Sequence, residues 1–248
     1  NGKVYVVKEI LAADKINDIA ILQLELPEGE KLQPAKDAVQ NISKGHVTIQ
    51  VVDVTDERAV KESFNHLLSV YGGLDILISN AGNAIQGSIG QIDFKTLRDS
   101  FDLNFFAHQS LAAHSVAIFL QQKTGGVLLF NASKAAFNPG KDFGPYALPK
   151  AAVVALAKQY ALDYGKQGIR SNALNADRIR TALFSKKVIA KRAVARGLAP
   201  EEYFKNNLLS REVLDTDVAE GFFHLALAES TTGSVLTVDG GNIAASPR

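Results

Sequence analysis

The chain has 248 residues, enough for one large α/β domain or two small ones, and long enough to bury about three quarters of its unfolded surface. Lysine and arginine number 27 against 26 acidic residues, a formal charge of +1, and no basic run marks a nucleic-acid or membrane-surface patch. The expected partners are therefore small molecules rather than polymers. Zero cysteines exclude disulfides, cysteine-ligated zinc and thiol nucleophiles. The lack of a long apolar span or signal peptide predicts a soluble, cytoplasmic protein.

There is no methionine, not even at position 1. That predicts either a domain cut from a longer protein or residues missing from the sequence, so the spacings used below are minimum spacings.

Apolar runs alternate with helical patterns, the signature of βα units and a mostly parallel sheet. In chain order, strands are predicted near Val4 to Val7, Ile19 to Leu24, Val47 to Val52, Ile76 to Ser79, Val127 to Asn131, Arg170 to Leu174 and Val235 to Val238. Helices are predicted near Ala35 to Ser43, Glu57 to Tyr71, Asp93 to Leu120, Tyr146 to Tyr164 and Thr216 to Ala228. Continuous Val/Ile/Leu runs fit strands covered on both faces. The expected fold class is α/β: a Rossmann-like, doubly wound parallel sheet in a three-layer αβα sandwich, one domain over residues 1–248. Its ligand crevice should lie at the carboxyl ends of the strands. The charged insert after the sixth strand, residues 178–215, is placed where a substrate lid would sit, although a solvated helical excursion would read the same.

Tyr146 and Lys150 stand at i and i+4 in YALPK, which stacks them on one helix face about 5 to 6 Å apart. An ammonium this close favours a phenolate and moves the tyrosine toward working pH, where it can exchange a proton with an alcohol or carbonyl oxygen. A surface pair of no consequence is the alternative. Ser133 ends the run GGVLLFNAS, where a hydroxyl serves as a turn former or helix cap, or stabilises charge developing on a reacting oxygen. Asn104 lies among apolar residues in SFDLNFFAHQSL, so its buried amide either fixes a kink or supports a polar relay.

Together these motifs resemble the short-chain dehydrogenase/reductase family. LDILISNAG matches that family's strand followed by Asn80, Ala81 and Gly82, VVDVTD carries Asp53 and Val54, and LTVDGG matches its closing strand. The resemblance runs from about Asp37 to the C-terminus. It implies an NAD(P)-dependent oxidoreductase, using NAD or NADP, that moves hydride between a nicotinamide and a small alcohol or carbonyl. It implies a catalytic set of Asn104, Ser133, Tyr146 and Lys150. Tyr146 would be the general acid/base and Ser133 would orient the substrate oxygen. Lys150 would lower the tyrosine pKa and hold the ribose, and Asn104 would anchor a water. Cofactor contacts would come from Asp53, Val54, Asn80, Ala81, Gly82, Tyr146, Lys150 and Thr181. Family members also pair through the two long helices, so a homodimer or homotetramer is expected.

The sequence departs from that family in two places. No glycine occurs between Gly2 and Gly29, where a Gly-rich phosphate loop should follow the first strand, so the first βαβ unit (1–36) is atypical. ADKINDIAILQLELP instead resembles the strand around the catalytic aspartate of trypsin-like proteases. No Gly-Asp-Ser-Gly-Gly segment follows and no histidine precedes Asp18, so no triad can form, and Asp18 reads as a turn residue before a strand. In SNALNADRIRT the usual Pro-Gly is replaced by Ala176 and Asp177, leaving Asp177 either a solvated turn residue or a polar contact near the ligands. This variant resembles the reductase domain of aldolase/short-chain dehydrogenase fusions, which implies a hydroxy-aldehyde or sugar-like substrate. Histidines 46, 65, 108, 114 and 224 lack metal-site spacing and read as structural or surface residues. The acid that would choose between coenzymes is Glu25, Glu28 or neither. The competing reading is a silent domain of the same fold, serving assembly.

Overall fold

The computed structural model describes residues 18–23, 46–180, 186–194 and 197–245. The chain first lays down two parallel strands, β1 (Asp18–Gln23) and β2 (His46–Val51), paired from Asp18 against His46 to Gln23 against Val51. Asp18, expected ahead of a strand, is the first residue of one. The predicted strand at Val4 to Val7 and helix at Ala35 to Ser43 lie outside the described residues.

Helix α1 (Glu57–Tyr71) falls where the sequence predicts it, and its ends show why. The Asp56 carboxylate accepts the N–H groups of Arg58 at 2.9 Å and Ala59 at 3.4 Å, satisfying donors that the first turn leaves orphaned. At the far end Gly72 takes a φ of 77°, a left-handed cap that favours glycine.

The second sheet has four parallel strands in the order β3 (Ile76–Ser79), β4 (Gly126–Asn131), β5 (Ile169–Ala176) and β6 (Val235–Val238). Between β3 and β4 the sequence predicts one helix, and the structure gives three pieces: α2 (Phe94–Phe101), a π-helical turn (Asp102–Phe106) and α3 (Ala107–Gln122). Helix α4 (Gly144–Tyr164) joins β4 to β5. The remaining helices are α5 (Lys186–Val194) in the insert, α6 (Asp215–Leu227) before β6 and α7 (Asn242–Ala245) after it.

Alternation along β4 makes the layers. Leu128 and Phe130 join a core with Leu111, Val116 and Phe119 of α3 and Val153 and Ala157 of α4. Val127 and Leu129 point the other way, into Phe222, Leu225 and Ala226 of α6. A strand covered on both faces needs apolar side chains at every position, hence the unbroken run VLLF. Leu128, Leu129 and Phe130 are fully buried, and each contributes roughly 1.5 to 3 kcal/mol. Helix α6 approaches closely because Gly221 has no side chain; a Cβ there would sit 2.7 Å from Leu174 Cδ1. Arg170 of β5 fastens the end of that helix, donating to the carbonyls of Leu225 at 2.8 Å and Ala226 at 2.6 Å, where cations suit the helix dipole.

Candidate active site

The carboxyl ends of β3, β4 and β5 open toward the amino end of α4 and the π turn, and the polar residues converge there. Lys150 is 2% exposed. Its Nζ donates to the Asn131 carbonyl at 2.7 Å and meets His108 Nε2 at 3.3 Å. Among the described residues no carboxylate pairs with it. Burial without an anion disfavours the ammonium, and the Lys150 pKa falls from its ordinary 10.5 to about 7.

Asn104 is fully buried within the π turn. Its side chain clasps one backbone unit from both sides: Oδ1 accepts the Asn83 N–H at 3.0 Å and Nδ2 donates to the Asn83 carbonyl at 3.0 Å. Nδ2 also reaches Ser100 Oγ at 3.1 Å, and the Ser100 hydroxyl donates to the Pro145 carbonyl at 2.7 Å. That chain of contacts ties the loop after β3 to the first turn of α4, next to Tyr146. Gly82 completes the packing, since a Cβ there would lie 2.8 Å from Asn104 Oδ1 and 3.3 Å from Lys150 Nζ.

Ser133 caps the short 3-10 turn Lys134–Ala136 by accepting the Ala135 N–H at 3.2 Å, and it also hydrogen-bonds Tyr146. Lys150 Nζ lies 6.0 Å from the Tyr146 ring centroid. The net shift of the tyrosine runs opposite to the expected lowering. Burial pushes the phenol above its ordinary value, the Ser133 hydrogen bond opposes this, Asp177 adds to the upward push, and Arg192 of α5 acts downward.

The remaining predicted residues divide by position. Asp53 is exposed and turns back on itself, its Oδ1 accepting from the Thr55 N–H at 2.9 Å and hydroxyl at 2.7 Å. Val54 is buried in the core, which leaves only its backbone for any ligand. The side chains of Asn80 and Asn131 are hydrogen-bonded across the ends of β3 and β4, and Asn131 Oδ1 is buried without a partner. Ala81 is buried beside them. Thr181 lies outside the described residues. Asp177 is not a free turn residue: its Oδ2 accepts from Arg178 Nε at 2.8 Å and Asn242 Nδ2 at 2.7 Å, joining the segment after β5 to α7. Arg178 in turn donates to the carbonyls of Tyr203 and Asn206, each at 2.8 Å, and so anchors the insert.

His108, read from the sequence as structural or surface, is structural. It is fully buried, with Nδ1 2.6 Å from Ser79 Oγ and its other nitrogen on Lys150. A signal was present: position 108 shares the buried phase of α3 with Leu111, Ala112 and Ser115 and lies one turn after Asn104.

A family model described as Enoyl-(Acyl carrier protein) reductase matches residues 21–242. The chain belongs to the short-chain dehydrogenase/reductase family, a class of oxidoreductase enzymes. Among curated relatives, the Uncharacterized oxidoreductase YuxG of Bacillus subtilis is 32% identical over 213 residues, covering 83% of this chain and 31% of that protein. Dehydrogenase/reductase SDR family member 4 of Oryctolagus cuniculus is 33% identical over 178 residues, covering 70% of this chain and 65% of the relative. 2-Keto-3-deoxy-L-fuconate dehydrogenase of Xanthomonas campestris is 28% identical over 197 residues, covering 79% and 64%. The chain thus spans about a third of the length of the first and just under two thirds of the other two. Levodione reductase shares the fold at a TM-score of 0.79 and 24% identity, over 87% of this chain and 84% of that one. A short-chain type dehydrogenase/reductase from Mycobacterium ulcerans superposes at 0.77 with 25% identity, over 91% and 81%. No helix among the described residues is long and apolar enough to cross a membrane.

Proposed function

We propose that the chain interconverts a small alcohol and its carbonyl compound with NAD or NADP, and that Tyr146 is the proton-transferring residue. The observation that carries this reading is the convergence of Asn104, Ser133, Tyr146 and Lys150 from three separate elements, the π turn, the 3-10 turn after β4 and α4, onto the strand ends. Ser133 orients the substrate oxygen and stabilises charge developing on it. Tyr146 gives that oxygen a proton in reduction and takes one in oxidation. Asn104 holds the loop after β3 against the π turn.

The residues fit a nicotinamide dinucleotide. Among the described residues, Lys150 presents a buried amine with neutral partners only and Asn131 keeps an unused buried oxygen, and the Gly82 backbone crowds against both Lys150 and Asn104. Asp53, the Val54 backbone, Asn80, Ala81, Gly82, Tyr146, Lys150 and Thr181 would hold it. When bound, it would supply the hydride donor or acceptor.

For substrate we propose a hydroxy-aldehyde or sugar-like compound. The similarity to a sugar-acid dehydrogenase supports this, and so does the replacement of Pro-Gly by Ala176 and Asp177. An origin within a longer aldolase/dehydrogenase chain belongs to the same proposal. So does assembly as a homodimer or homotetramer; Phe106 at 53% and Leu162 at 78% exposure leave apolar surface on the π turn and α4. The residues 178–215 would then form the substrate insert.

The test is nicotinamide absorbance during turnover of lactaldehyde, glyceraldehyde, 1,2-propanediol and sugar acids, beside calorimetric titration with NAD and NADP. Micromolar coenzyme binding and turnover that Tyr146→Phe abolishes are expected. Turnover that survives in Tyr146→Phe would falsify the assigned role, and no coenzyme binding would favour a silent domain.

A further inference from the structure

A histidine on the sheet-facing side of α3 is out of place among Ala107, Leu111, Ala112, Val116 and Phe119. It is held there by polar partners on a strand and a helix and by a ring contact on a second strand. Nδ1 lies 2.6 Å from Ser79 Oγ at the end of β3, Nε2 lies 3.3 Å from Lys150 Nζ on α4, and the ring meets Phe130 of β4 edge-on at 6.3 Å. The Ala81 carbonyl is a further hydrogen-bond partner.

Resting on the function proposed above, we propose that His108 is a positioning residue for the reaction: its Nε2 receives Lys150 Nζ, while Ser79 holds the ring by its other nitrogen. Burial holds the ring well below its ordinary pKa, with Lys150 adding to that effect, so it stays neutral. A neutral imidazole has one donor and one acceptor nitrogen. With hydrogen on Nδ1, the ring donates to Ser79 and offers a bare Nε2 to the Lys150 ammonium. With hydrogen on Nε2, it turns that donor toward the Ala81 carbonyl or a neutral lysine, and the Ser79 hydroxyl donates to Nδ1. The Ser79 hydroxyl, donor and acceptor both, suits either form. Lys150 therefore has a buried partner in each of its charge states.

The consequence reaches Tyr146 through Lys150. Among the described residues only neutral acceptors, the Asn131 carbonyl and His108, hold the ammonium. Losing one of two disfavours the charged form, which weakens the positive charge beside the tyrosine. The titratable groups facing this cluster are His108 from α3, Tyr146 and Lys150 from α4, Asp177 from the segment after β5 and Arg192 from α5. The neighbouring polar residues of β3, β4 and the π turn, namely Ser79, Asn80, Asn131 and Asn104, do not titrate.

The experiment compares His108→Leu, His108→Gln and Ser79→Ala with the unaltered protein. Gln can place an acceptor oxygen near the Nε2 position. Two readouts are taken: the Lys150 Cε chemical shift against pH, assigned with Lys150→Arg, and the pH profile of kcat for 1,2-propanediol oxidation. His108→Leu should move the Lys150 midpoint below about 7 and the onset of oxidation to higher pH. It should cut kcat near neutrality roughly three- to tenfold with KM unchanged. Gln should restore both readouts toward the original, and Ser79→Ala should shift both the same way by less. A folded His108→Leu protein with unchanged Lys150 titration overturns the proposal, as does a Gln variant no better than Leu. If Leu does not fold, Gln and Ser79→Ala decide on the same two readouts: a Gln variant that titrates like the original, with Ser79→Ala shifted, supports it. Ser79→Ala that leaves both readouts unmoved overturns it. Absence of turnover with every compound sinks the proposed activity alone, because the Lys150 titration still judges His108.

Discussion

The Ser100 hydroxyl donates to the carbonyl of Pro145 at 2.7 Å. In an unbroken helix that carbonyl would receive the N–H of residue 149, but Pro149 has none. Ser100 supplies the missing donor from a different helix and at the same time accepts from Asn104. Two proposed catalytic elements, the π turn and the start of α4, thereby share one hydroxyl.

Ser100→Ala removes that donor from a fully buried position and leaves the Pro145 carbonyl and one Asn104 hydrogen unsatisfied. The expected loss is about 1 to 3 kcal/mol of stability. It should be accompanied by a fall in kcat larger than any change in KM, because Tyr146 sits one residue beyond Pro145. Denaturant unfolding and steady-state kinetics check this, and a variant with unchanged melting and unchanged kcat contradicts it.

Gly82→Ala places a methyl group 2.8 Å from Asn104 Oδ1 and 3.3 Å from Lys150 Nζ. Either the Asn104 clasp on Asn83 opens or Lys150 moves, at a cost of about 1 to 3 kcal/mol. Weaker NAD or NADP binding in calorimetry is expected, with retained secondary structure. Undiminished coenzyme affinity would show that the crowding at Gly82 is irrelevant to the ligand.

Asp177 raises the Tyr146 pKa by its negative charge. Asp177→Asn keeps the shape and an acceptor for Arg178 and Asn242 while removing the charge. The phenol should then ionise more readily, so the rise of oxidation rate with pH begins at lower pH. A profile that moves alkaline, or does not move, contradicts this electrostatic reading.

How much could be read in advance differs by element. VLLF in β4 and the Asp56 and Gly72 ends of α1 are local signals, and the structure follows them closely. The Tyr146 and Lys150 spacing is local too, and so is the Asn-Ala-Gly after β3. The π turn was not legible as such, because what holds it is the contact of Asn104 with Asn83, a residue far along the chain. Whether His108 is structural or surface was left open for the same reason: Ser79 and Lys150 lie 29 and 42 residues away, and nothing beside it in sequence announces them. The direction of the Tyr146 shift failed differently. Spacing showed a lysine nearby but not that the phenol, and the lysine with it, would be buried.

That burial makes a prediction about stability. Lys150 has a pKa of about 7 in the folded protein and near 10.5 when unfolded. Between those values the unfolded chain binds a proton that the native chain does not, so stability rises with pH across this window. Above about 10.5 the contribution is fully present, and as pH falls through about 7 it is lost. Each unit of difference is worth about 1.4 kcal/mol, so the whole swing is on the order of 5 kcal/mol. In coenzyme-free protein, Lys150→Met should remove this slope: its stability relative to the original should improve steadily as pH is lowered from 10 to 7. Denaturant unfolding at several pH values measures it, and parallel curves for the two proteins would mean that Lys150 stays charged in the fold and finds an anion to pair with.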